Sequence, residues 1–349
     1  MMSIGIIYVN EKMPKPLIQP IYQTSNFEIE DDRAWSYSRS ANPTRTALEF
    51  EIANLENAKH GMVFATGLAA VDAVIRLFKA GDEILSCQDL YGGSYRLFVK
   101  VHADKTFTFL GAEDVINLND KIKAIFIESP TNPTLQQTDI RLMATKAHEH
   151  GWLLIVDNTL ASPYYQNPLD LGADIVVHSV SKYINGHGDV VMGAVCVNDD
   201  KLYERLGFIQ RICGAIPGPQ DCWLVSRGLK TLGLRMERIT QSAKDVCRSL
   251  SNNPNVAQLN YPGFSGVISF SLKEDTEQEA LRICKSTKLF KFAVSLGGTQ
   301  SLITHCATTN NAIMEADYRR KIGIPDSLIR LSIGLEDPKD LIEDLNNVL

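Results

Sequence analysis

Between residues 61 and 197, short apolar runs alternate with segments of helical spacing, and this alternation constrains the fold more than any other feature of the chain. Strands are predicted at residues 62–65, 83–87, 107–110, 124–128, 152–157, 174–178 and 191–197, with helices at 68–79, 91–102 and 140–150. Several runs are apolar on both faces, as at residues 153–156, which is typical of strands covered by helices on both sides. The pattern therefore predicts an α/β fold with a mostly parallel sheet in a three-layer sandwich.

The segments on either side of this region predict an arm and a second domain. The first 60 residues contain one helical pattern, at 44–57, and we expect this arm and helix to pack on another subunit. A long helical pattern at 219–251 is expected to connect two domains, and strands at 267–272 and 292–294 then alternate with helices at 277–286 and 338–349. The predicted limits are 1–60 for the arm, 61–225 for the sheet domain and 226–349 for a smaller C-terminal α+β domain.

Charge and cysteine content exclude several functional classes. The net charge is −6 and the sequence pI is about 5.7, so nucleic acid and anionic membrane surfaces are not expected partners. No apolar run approaches a membrane span, and residues 1–9 make a poor signal peptide, so we expect a cytoplasmic protein. The seven cysteines contain no Cys-x-x-Cys pair, and the seven histidines lack metal-ligand spacing. Reduced thiols and no bound metal are predicted.

The stretch from His178 to Asp189 is the most informative about chemistry. It follows a predicted buried strand and places Lys182 after two hydroxyl side chains, Ser179 and Ser181. An amine in this position could form a Schiff base while the hydroxyls bind a phosphate. Taken alone, a solvated loop lysine explains the motif better, so the ends of the other strands must be considered with it.

Asp157 ends an earlier predicted strand. A carboxylate at the carboxyl end of a parallel strand lies where open α/β sheets bind ligands, and it can keep a pyridine nitrogen protonated. A turn or helix cap would explain an isolated Asp equally well. The pair of Asp157 and Lys182, on two strand ends, favours a site over two unrelated loops.

Other strand ends carry compatible groups. Gly67 lies between a strand and a helix start, where backbone N–H groups favour a phosphate, although a tight turn is an equally good explanation. Tyr91 follows the next strand and could stack on a planar cofactor and exchange protons, whereas a buried core tyrosine is the commoner case. Asn132 lies four residues after Glu128, which ends another predicted strand, and its amide would point to the same edge of the sheet. The prolines on either side of it could equally well make only a rigid turn. No Gly-x-Gly-x-x-Gly follows a strand, which disfavours a dinucleotide site.

Together these motifs resemble the pyridoxal-phosphate enzymes of cysteine and methionine metabolism. The similar segments occur in family order over nearly the whole chain, at residues 37–45, 89–93, 130–133, 156–159, 179–189, 227–231, 295–298 and 328–336. Within that family, the motifs are most similar to those of cystathionine γ-lyases and γ-synthases. The resemblance implies a fold-type I enzyme and pyridoxal 5′-phosphate as cofactor.

The resemblance also implies a role for each site residue. It implies that Lys182 carries the cofactor and moves protons, that Asp157 pairs with the pyridine nitrogen, and that Tyr91 stacks on the ring. Arg330 would hold the substrate carboxylate in a bidentate pair, helped by Asn132 and Ser295. The phosphate would be bound by Gly67, Leu68, Ser179 and Ser181, and by Tyr37 and Arg39 from a neighbouring subunit. A homo-oligomer is therefore expected, as a homotetramer made of two active dimers.

The implied reaction is γ-elimination or γ-replacement on sulfur amino acids, and cystathionine γ-lyase is the first interpretation. The alternatives are a methionine γ-lyase, or a cystathionine γ-synthase or O-acylhomoserine sulfhydrylase. Val294 stands where relatives acting on cystathionine usually have an acidic residue, whereas Gly93 resembles the cystathionine enzymes. Shortened loops, Ser181 in place of Thr, and residues 309–311 also depart from the family pattern. Two other classes, an inactive descendant and an oxidoreductase, are disfavoured by the intact site residues and by the missing dinucleotide motif.

Overall fold

The protein forms two β-sheets, seen in a computed structural model that describes residues 16–29, 35–111, 118–312 and 314–349. The apolar start at residues 1–9 lies outside the described residues. The strands of the first sheet are β1 (His60–Phe64), β2 (Glu83–Cys87), β3 (Thr106–Leu110), β4 (Ile122–Glu128), β5 (Leu153–Asp157), β6 (Ile175–Ser179) and β7 (Gly193–Val197).

Helices accompany these strands on both faces. They are α1 (Pro43–Leu55), α2 (Gly67–Ile75), α3 (Gly92–Arg96) with a π-helical turn (Leu97–Val101), α4 (Ile140–Glu149), α5 (Ser162–Tyr165) with a 3₁₀ turn (Pro168–Leu171), α6 (Asp200–Cys213) and α7 (Pro219–Leu229). Alternate residues of the central strands enter different cores. Val156 and Val176 pack on one face and Ile155 and Val177 on the other. The sheet is thus covered on both sides, as the apolar runs predict.

The first sheet is mostly parallel, which confirms the predicted fold class. Its strand order is β1-β7-β6-β5-β4-β2-β3. The central pairs β5 with β6, β4 with β5, β2 with β4 and β2 with β3 are parallel, while β7 runs antiparallel to both β6 and β1. The carboxyl ends of β2, β4, β5 and β6 therefore meet at one edge.

The second sheet follows a long helix and carries the C-terminal half of the site. Its strands are β8 (Val256–Asn260), β9 (Val267–Leu272), β10 (Lys291–Phe292), β11 (Leu302–His305) and β12 (Ile329–Ser332), in the order β10-β11-β12-β9-β8. The helices are α8 (Leu232–Ser251), α9 (Glu277–Ser286), α10 (Ala316–Lys321) and α11 (Pro338–Asn346). Helix α8 packs its apolar stripe, which includes Met236, Ile239 and Val246, into the core of this sheet.

Several helices differ from the predicted pattern, and the short helices α5 and α10 were not predicted. The predicted helix at 219–251 is two helices, and it breaks at Lys230 and Thr231. The Arg235 guanidinium donates to the Gly228 carbonyl over 3.0 Å, so that carbonyl has a partner although the helix does not continue. The predicted helix at 91–102 changes into the π-helical turn at Leu97.

Helix α6 was not predicted at all. Its apolar residues Leu202, Leu206 and Ile209 do recur at helical spacing and pack on the first sheet, so the sequence contained the signal for this helix.

Two further observations concern the chain as a whole. All seven cysteines are free thiols, and four of them are buried. Among the described residues, no helix combines the length and apolar character that a membrane crossing needs.

Candidate active site

A cavity of about 430 Å³ opens at the shared edge of the first sheet, between the strand ends, the start of α2 and the second sheet. This is the position where α/β sheets bind ligands, because the connections diverge there and leave a crevice. All the predicted site residues except Tyr37 and Arg39 line it: Gly67, Leu68, Tyr91, Asn132, Asp157, Ser179, Ser181, Lys182, Val294, Ser295 and Arg330.

One end of the cavity is formed by the first turn of α2. Thr66 caps this helix, since its hydroxyl accepts from the Ala69 N–H over 2.9 Å. The amides of Gly67 and Leu68 come first in the helix and therefore have no helical acceptor. A Cβ atom at Gly67 would lie 3.0 Å from the Ser179 Cβ, so the glycine permits the close approach of α2 to β6. This end can bind an anion.

Ser181 contacts the backbone of Met192. Its hydroxyl accepts from the Met192 N–H over 2.9 Å and donates to the Met192 carbonyl at 3.2 Å. It thereby ties the loop that carries Lys182 to the residues just before β7.

Asp157 lies in the middle of the cavity wall, as the last residue of β5. Its carboxylate accepts from the Thr159 N–H over 3.0 Å, and the Thr159 hydroxyl accepts from the Ser179 N–H over 2.8 Å. Burial raises the pKa of Asp157, while the hydrogen bonds from Thr159 and the charge of His178 oppose that rise. A cationic ring nitrogen bound here would favour the ionised carboxylate.

A buried polar network lies behind these strand ends. Glu56 follows α1, is fully buried, and contacts the His178 ring with Oε1. The same oxygen accepts from the Asn158 amide over 2.9 Å. The Gln166 amide donates to the Asn158 side-chain oxygen over 2.9 Å and to the Ser129 carbonyl over 2.9 Å. The network joins α1 to the ends of β4, β5 and β6.

Lys182 and Arg330 meet across the cavity from different sheets. The Lys182 Nζ donates to the Ser295 hydroxyl over 2.8 Å. Burial, and secondly the charge of Arg330, lower the pKa of Lys182 to about 8. A substantial fraction of this amine is therefore neutral near physiological pH, which suits a group that moves protons.

Arg330 is 2 % exposed and lies on β12. It donates to the Asn132 side-chain oxygen over 3.0 Å and to the Ser295 carbonyl over 2.9 Å. Its buried Nε has no partner among the described residues. A guanidinium held this way, with its Nε–H still free, can bind a carboxylate.

The Tyr91 ring, 38 % exposed, covers another part of the cavity. Its own N–H donates to the Glu128 carboxyl over 2.7 Å. A Cβ atom at Gly93 would lie 2.3 Å from the Tyr91 ring, so any side chain at position 93 would move that ring.

Val294 and Ser295 form part of the mouth of the cavity on the second-sheet side. Val294 is 60 % exposed, so its apolar side chain faces the opening. An acidic residue is expected at this position in relatives that act on cystathionine. Ser295 has a φ of 91°, a left-handed conformation that is costly for any residue with a Cβ.

Tyr37 and Arg39 lie away from the cavity of their own chain. Arg39 packs over the Tyr37 ring at 5.6 Å and donates to the Arg211 carbonyl over 2.6 Å. Tyr37 is 47 % exposed. One chain therefore does not bring these two residues to its own site.

Several lining residues were missed from the sequence. Thr66, Thr159, Glu128 and Asn310 all line the cavity. Asn310 places a buried side-chain nitrogen there with no partner among the described residues. The position of Glu128 at the end of a parallel strand was the one available signal, since that is the same signal that identified Asp157.

The described residues contain no group of three or more His, Cys, Asp or Glu side chains arranged to hold a metal ion. The polar groups of the cavity are instead one amine, one guanidinium, two carboxyls, hydroxyls, amides and a helix start.

Comparison with known proteins gives a consistent result. The model of the Cys/Met metabolism PLP-dependent enzymes matches residues 7–349. A cystathionine gamma-lyase of Dictyostelium discoideum is 44% identical over 337 residues, covering 90% of this chain and 87% of the relative. A cystathionine beta-lyase of Lactococcus lactis is 42% identical over 357 residues, covering 95% and 93%. The crystal structure of cystathionine gamma-lyase from Lactobacillus plantarum complexed with L-serine matches with a TM-score of 0.89 and 40% identity, over 94% of this chain and 92% of that one.

Proposed function

Because the chain belongs to the Cys/Met metabolism family of PLP-dependent enzymes, we propose that it is a carbon–sulfur lyase that converts cystathionine to cysteine, 2-oxobutanoate and ammonia. Relatives named cystathionine gamma-lyase, at 44% identity and 43% identity, support the γ-cleavage. Relatives named cystathionine beta-lyase, at 42% identity, make β-cleavage of the same substrate a second candidate.

One observation carries the proposal: Lys182 and Arg330 face the same cavity with Ser295 between them. The Lys182 amine and the Arg330 guanidinium each contact Ser295, at 2.8 Å and 2.9 Å. An amino acid bound by its carboxylate to Arg330 would therefore present its α-carbon close to the Lys182 amine. This arrangement suits removal of a proton from that carbon.

The residues of the cavity fit pyridoxal 5′-phosphate. The helix start at Gly67 and Leu68, with the Ser179 hydroxyl nearby, suits the phosphate. Asp157 suits the ring nitrogen, Tyr91 suits the face of the ring, and Lys182 suits the aldehyde. When bound, this cofactor supplies an electron-withdrawing ring that stabilises negative charge at the substrate α-carbon.

The chain's own groups would perform the remaining tasks. Arg330 binds and orients the carboxylate, and its fixed position depends on Asn132 and on the Ser295 carbonyl. The Lys182 amine, with its pKa lowered to about 8, can take the proton from the substrate α-carbon and hold it for a later transfer. The Tyr91 ring limits the volume of the cavity. Its position is fixed by the hydrogen bond from the Tyr91 N–H to Glu128 and by the absence of a side chain at Gly93.

Substrate preference is proposed to depend on Val294. Its side chain is exposed at the mouth and offers no charge to the distal ammonium group of cystathionine. We propose reduced discrimination between cystathionine and the smaller methionine or homocysteine. Val294→Glu should raise the ratio of kcat/KM for cystathionine over methionine by roughly 10-fold to 100-fold. A wild-type enzyme that already prefers cystathionine a thousandfold, with no gain in the variant, would refute this role.

The proposal extends to the assembly. Tyr37 and Arg39 are proposed to complete the phosphate site of a neighbouring subunit, in a homodimer that pairs into a homotetramer. The cytoplasm is the proposed compartment. We also propose the domain limits 61–225 and 226–349. In support, most core residues up to Val225 pack on the first sheet, and most of those from Leu232 onward pack on the second.

The decisive experiment identifies the keto acid formed from cystathionine by the purified holoenzyme. Cleavage at Cγ gives 2-oxobutanoate, whereas β-cleavage gives pyruvate. Lys182→Ala should lose turnover with either product. Formation of pyruvate alone would replace the γ-lyase with the β-lyase, and full turnover by Lys182→Ala would overturn the mechanism.

A further inference from the structure

Two carboxyl groups end neighbouring strands of the first sheet. Glu128 is the last residue of β4 and Asp157 the last of β5, and the two are direct register partners in a parallel pair. Residues opposite each other in a parallel pair point to the same face of the sheet, and both side chains line the cavity. The fold thus places two acids side by side in one wall of the cavity.

The surroundings of Glu128 favour its neutral form. It is 3 % exposed, and the charged side chains that act on it are Asp157 from β5 and Asp89 from the loop after β2, both acidic. The neighbouring Cys87 thiol, on β2, brings no positive charge. Burial chiefly, and then these two acids, raise the pKa of Glu128 well above its ordinary value. N–H groups of Tyr91 and Asn132 oppose the rise only in part.

Asp157 has better support for a negative charge. The Thr159 N–H donates to it over 3.0 Å, and the charge of His178 favours its ionised form. Neighbouring buried carboxyls cannot both ionise cheaply, so one of such a pair retains a proton. The contacts assign the proton to Glu128.

We propose that Glu128 is a protonated positioning residue, which leaves Asp157 as the one anion of the pair and holds the Tyr91 peptide through its carboxyl oxygen. This inference rests on the proposed function, in which the cofactor's ring nitrogen lies opposite Asp157. A protonated Glu128 would keep the total charge of the two carboxyls at −1. It would also fix the start of α3, and with it the Tyr91 ring.

The test compares the thermal midpoint of wild-type holoenzyme with that of Glu128→Gln from pH 5 to pH 8. A carboxyl with a raised folded-state pKa keeps its proton in the folded protein, while the unfolded chain loses it above about pH 4.3. Wild-type stability therefore falls relative to the glutamine variant as the pH rises. We expect the midpoint of Glu128→Gln minus that of wild type to increase by roughly 2 °C per pH unit.

A matched control is Glu279→Gln. Glu279 is a partly exposed acid whose pKa is lowered by its hydrogen bonds and charge contact with Arg282. Its variant should show no such increase with pH. A midpoint difference for Glu128→Gln that stays constant or decreases from pH 5 to pH 8 would show that Glu128 is ionised in the folded enzyme and would overturn the proposal.

Two further measurements complete the test. The first needs no variant, in case Glu128→Gln does not fold, and the second tests whether Glu128 positions Tyr91. Wild-type holoenzyme at pH 8 should show the infrared band of a protonated carboxyl, and its absence would overturn the proposal without any variant. Glu128→Ala, which lacks an acceptor for the Tyr91 N–H, should bind the cofactor at least tenfold more weakly than Glu128→Gln. Equal affinities would remove the positioning role. None of these results depends on which keto acid is formed, so they can fail independently of the proposed function.

Discussion

The Lys182 Nζ donates a hydrogen bond to the Ser295 hydroxyl over 2.8 Å, and this contact joins the loop after β6 to the turn after β10. The Ser295 carbonyl accepts from Arg330 at 2.9 Å, so one serine contacts both cations of the site. It does so with a φ of 91°, which a residue with a Cβ adopts only at a cost. The position of Ser295 therefore links the two sheets at the cavity.

Replacing Ser295 separates its hydroxyl from its backbone conformation. Both Ser295→Ala and Ser295→Gly lose the acceptor for Lys182, and we expect either to lower kcat/KM about fivefold to tenfold, the effect of one lost hydrogen bond. Ser295→Gly should be more stable than Ser295→Ala by about 1 kcal/mol, because glycine adopts this φ without strain. Steady-state kinetics and thermal unfolding measure the two effects. A glycine variant less stable than the alanine variant would contradict the strain.

The low pKa of Lys182 predicts how cofactor capture depends on pH. The neutral amine is the reactive form, so the rate at which cofactor-free protein binds pyridoxal 5′-phosphate should rise with pH and be half-maximal near pH 8. Arg330→Gln removes the charge that is the second cause of the lowered pKa, so it should move this midpoint to higher pH. The move should be smaller than the lowering that burial causes. Absorbance stopped-flow measures the rate. A wild-type midpoint at pH 10 would show that burial does not act on this amine.

The buried network behind the strand ends predicts a large loss of stability. Glu56→Ala would leave the His178 ring and the Asn158 amide without their shared acceptor, all three residues being fully buried. Each buried group left unsatisfied costs about 1–3 kcal/mol, so a loss of roughly 2–5 kcal/mol in the free energy of unfolding is expected.

The control for Glu56 is an exposed ion pair. Lys59 and Asp200 pair with side chains 56% and 62% exposed, and Lys59→Ala should cost less than about 1 kcal/mol. Denaturant unfolding of both variants gives the comparison. Equal losses would mean that the network adds nothing to stability.

The proposed sharing of sites between subunits predicts complementation. Arg39→Ala and Lys182→Ala should each be nearly inactive alone, because one lacks a phosphate contact for the neighbouring site and the other lacks the reactive amine. Hybrid dimers should recover activity, since one of their two sites combines an intact Lys182 with the partner's intact Arg39. Hybrids shown by mass spectrometry to form, yet without activity, would count against a shared site.

The sequence was sufficient for the first sheet and for one side of the site. Apolar runs of strand length alternating with helical periods require a covered, mostly parallel sheet, and the carboxyl ends of parallel strands then share one edge. Asp157, Tyr91 and Lys182 could be placed together for this reason. The family motifs added Arg330 and Ser295, which no local pattern connects to that edge.

The relation between the two sheets could not be obtained from local patterns. Arg330 reaches the cavity only because β12 packs where its guanidinium meets Asn132 and Ser295, and that packing depends on burial between residues far apart in the chain. Near the break at Lys230, Arg235 likewise contacts carbonyls of other elements, such as that of Tyr183 at 2.8 Å.

Protonation depends on the tertiary structure in the same way. Residue type and position at a strand end identified Asp157 as an acid of the site, but Glu128 has the same residue chemistry and an equivalent position. Which of them holds a charge depends on the burial and the neighbouring charges that packing gives each carboxyl, since N–H donors reach both. Those surroundings come from β2, β4, β5 and β6 together, so periodicity within any one segment contains no information about them.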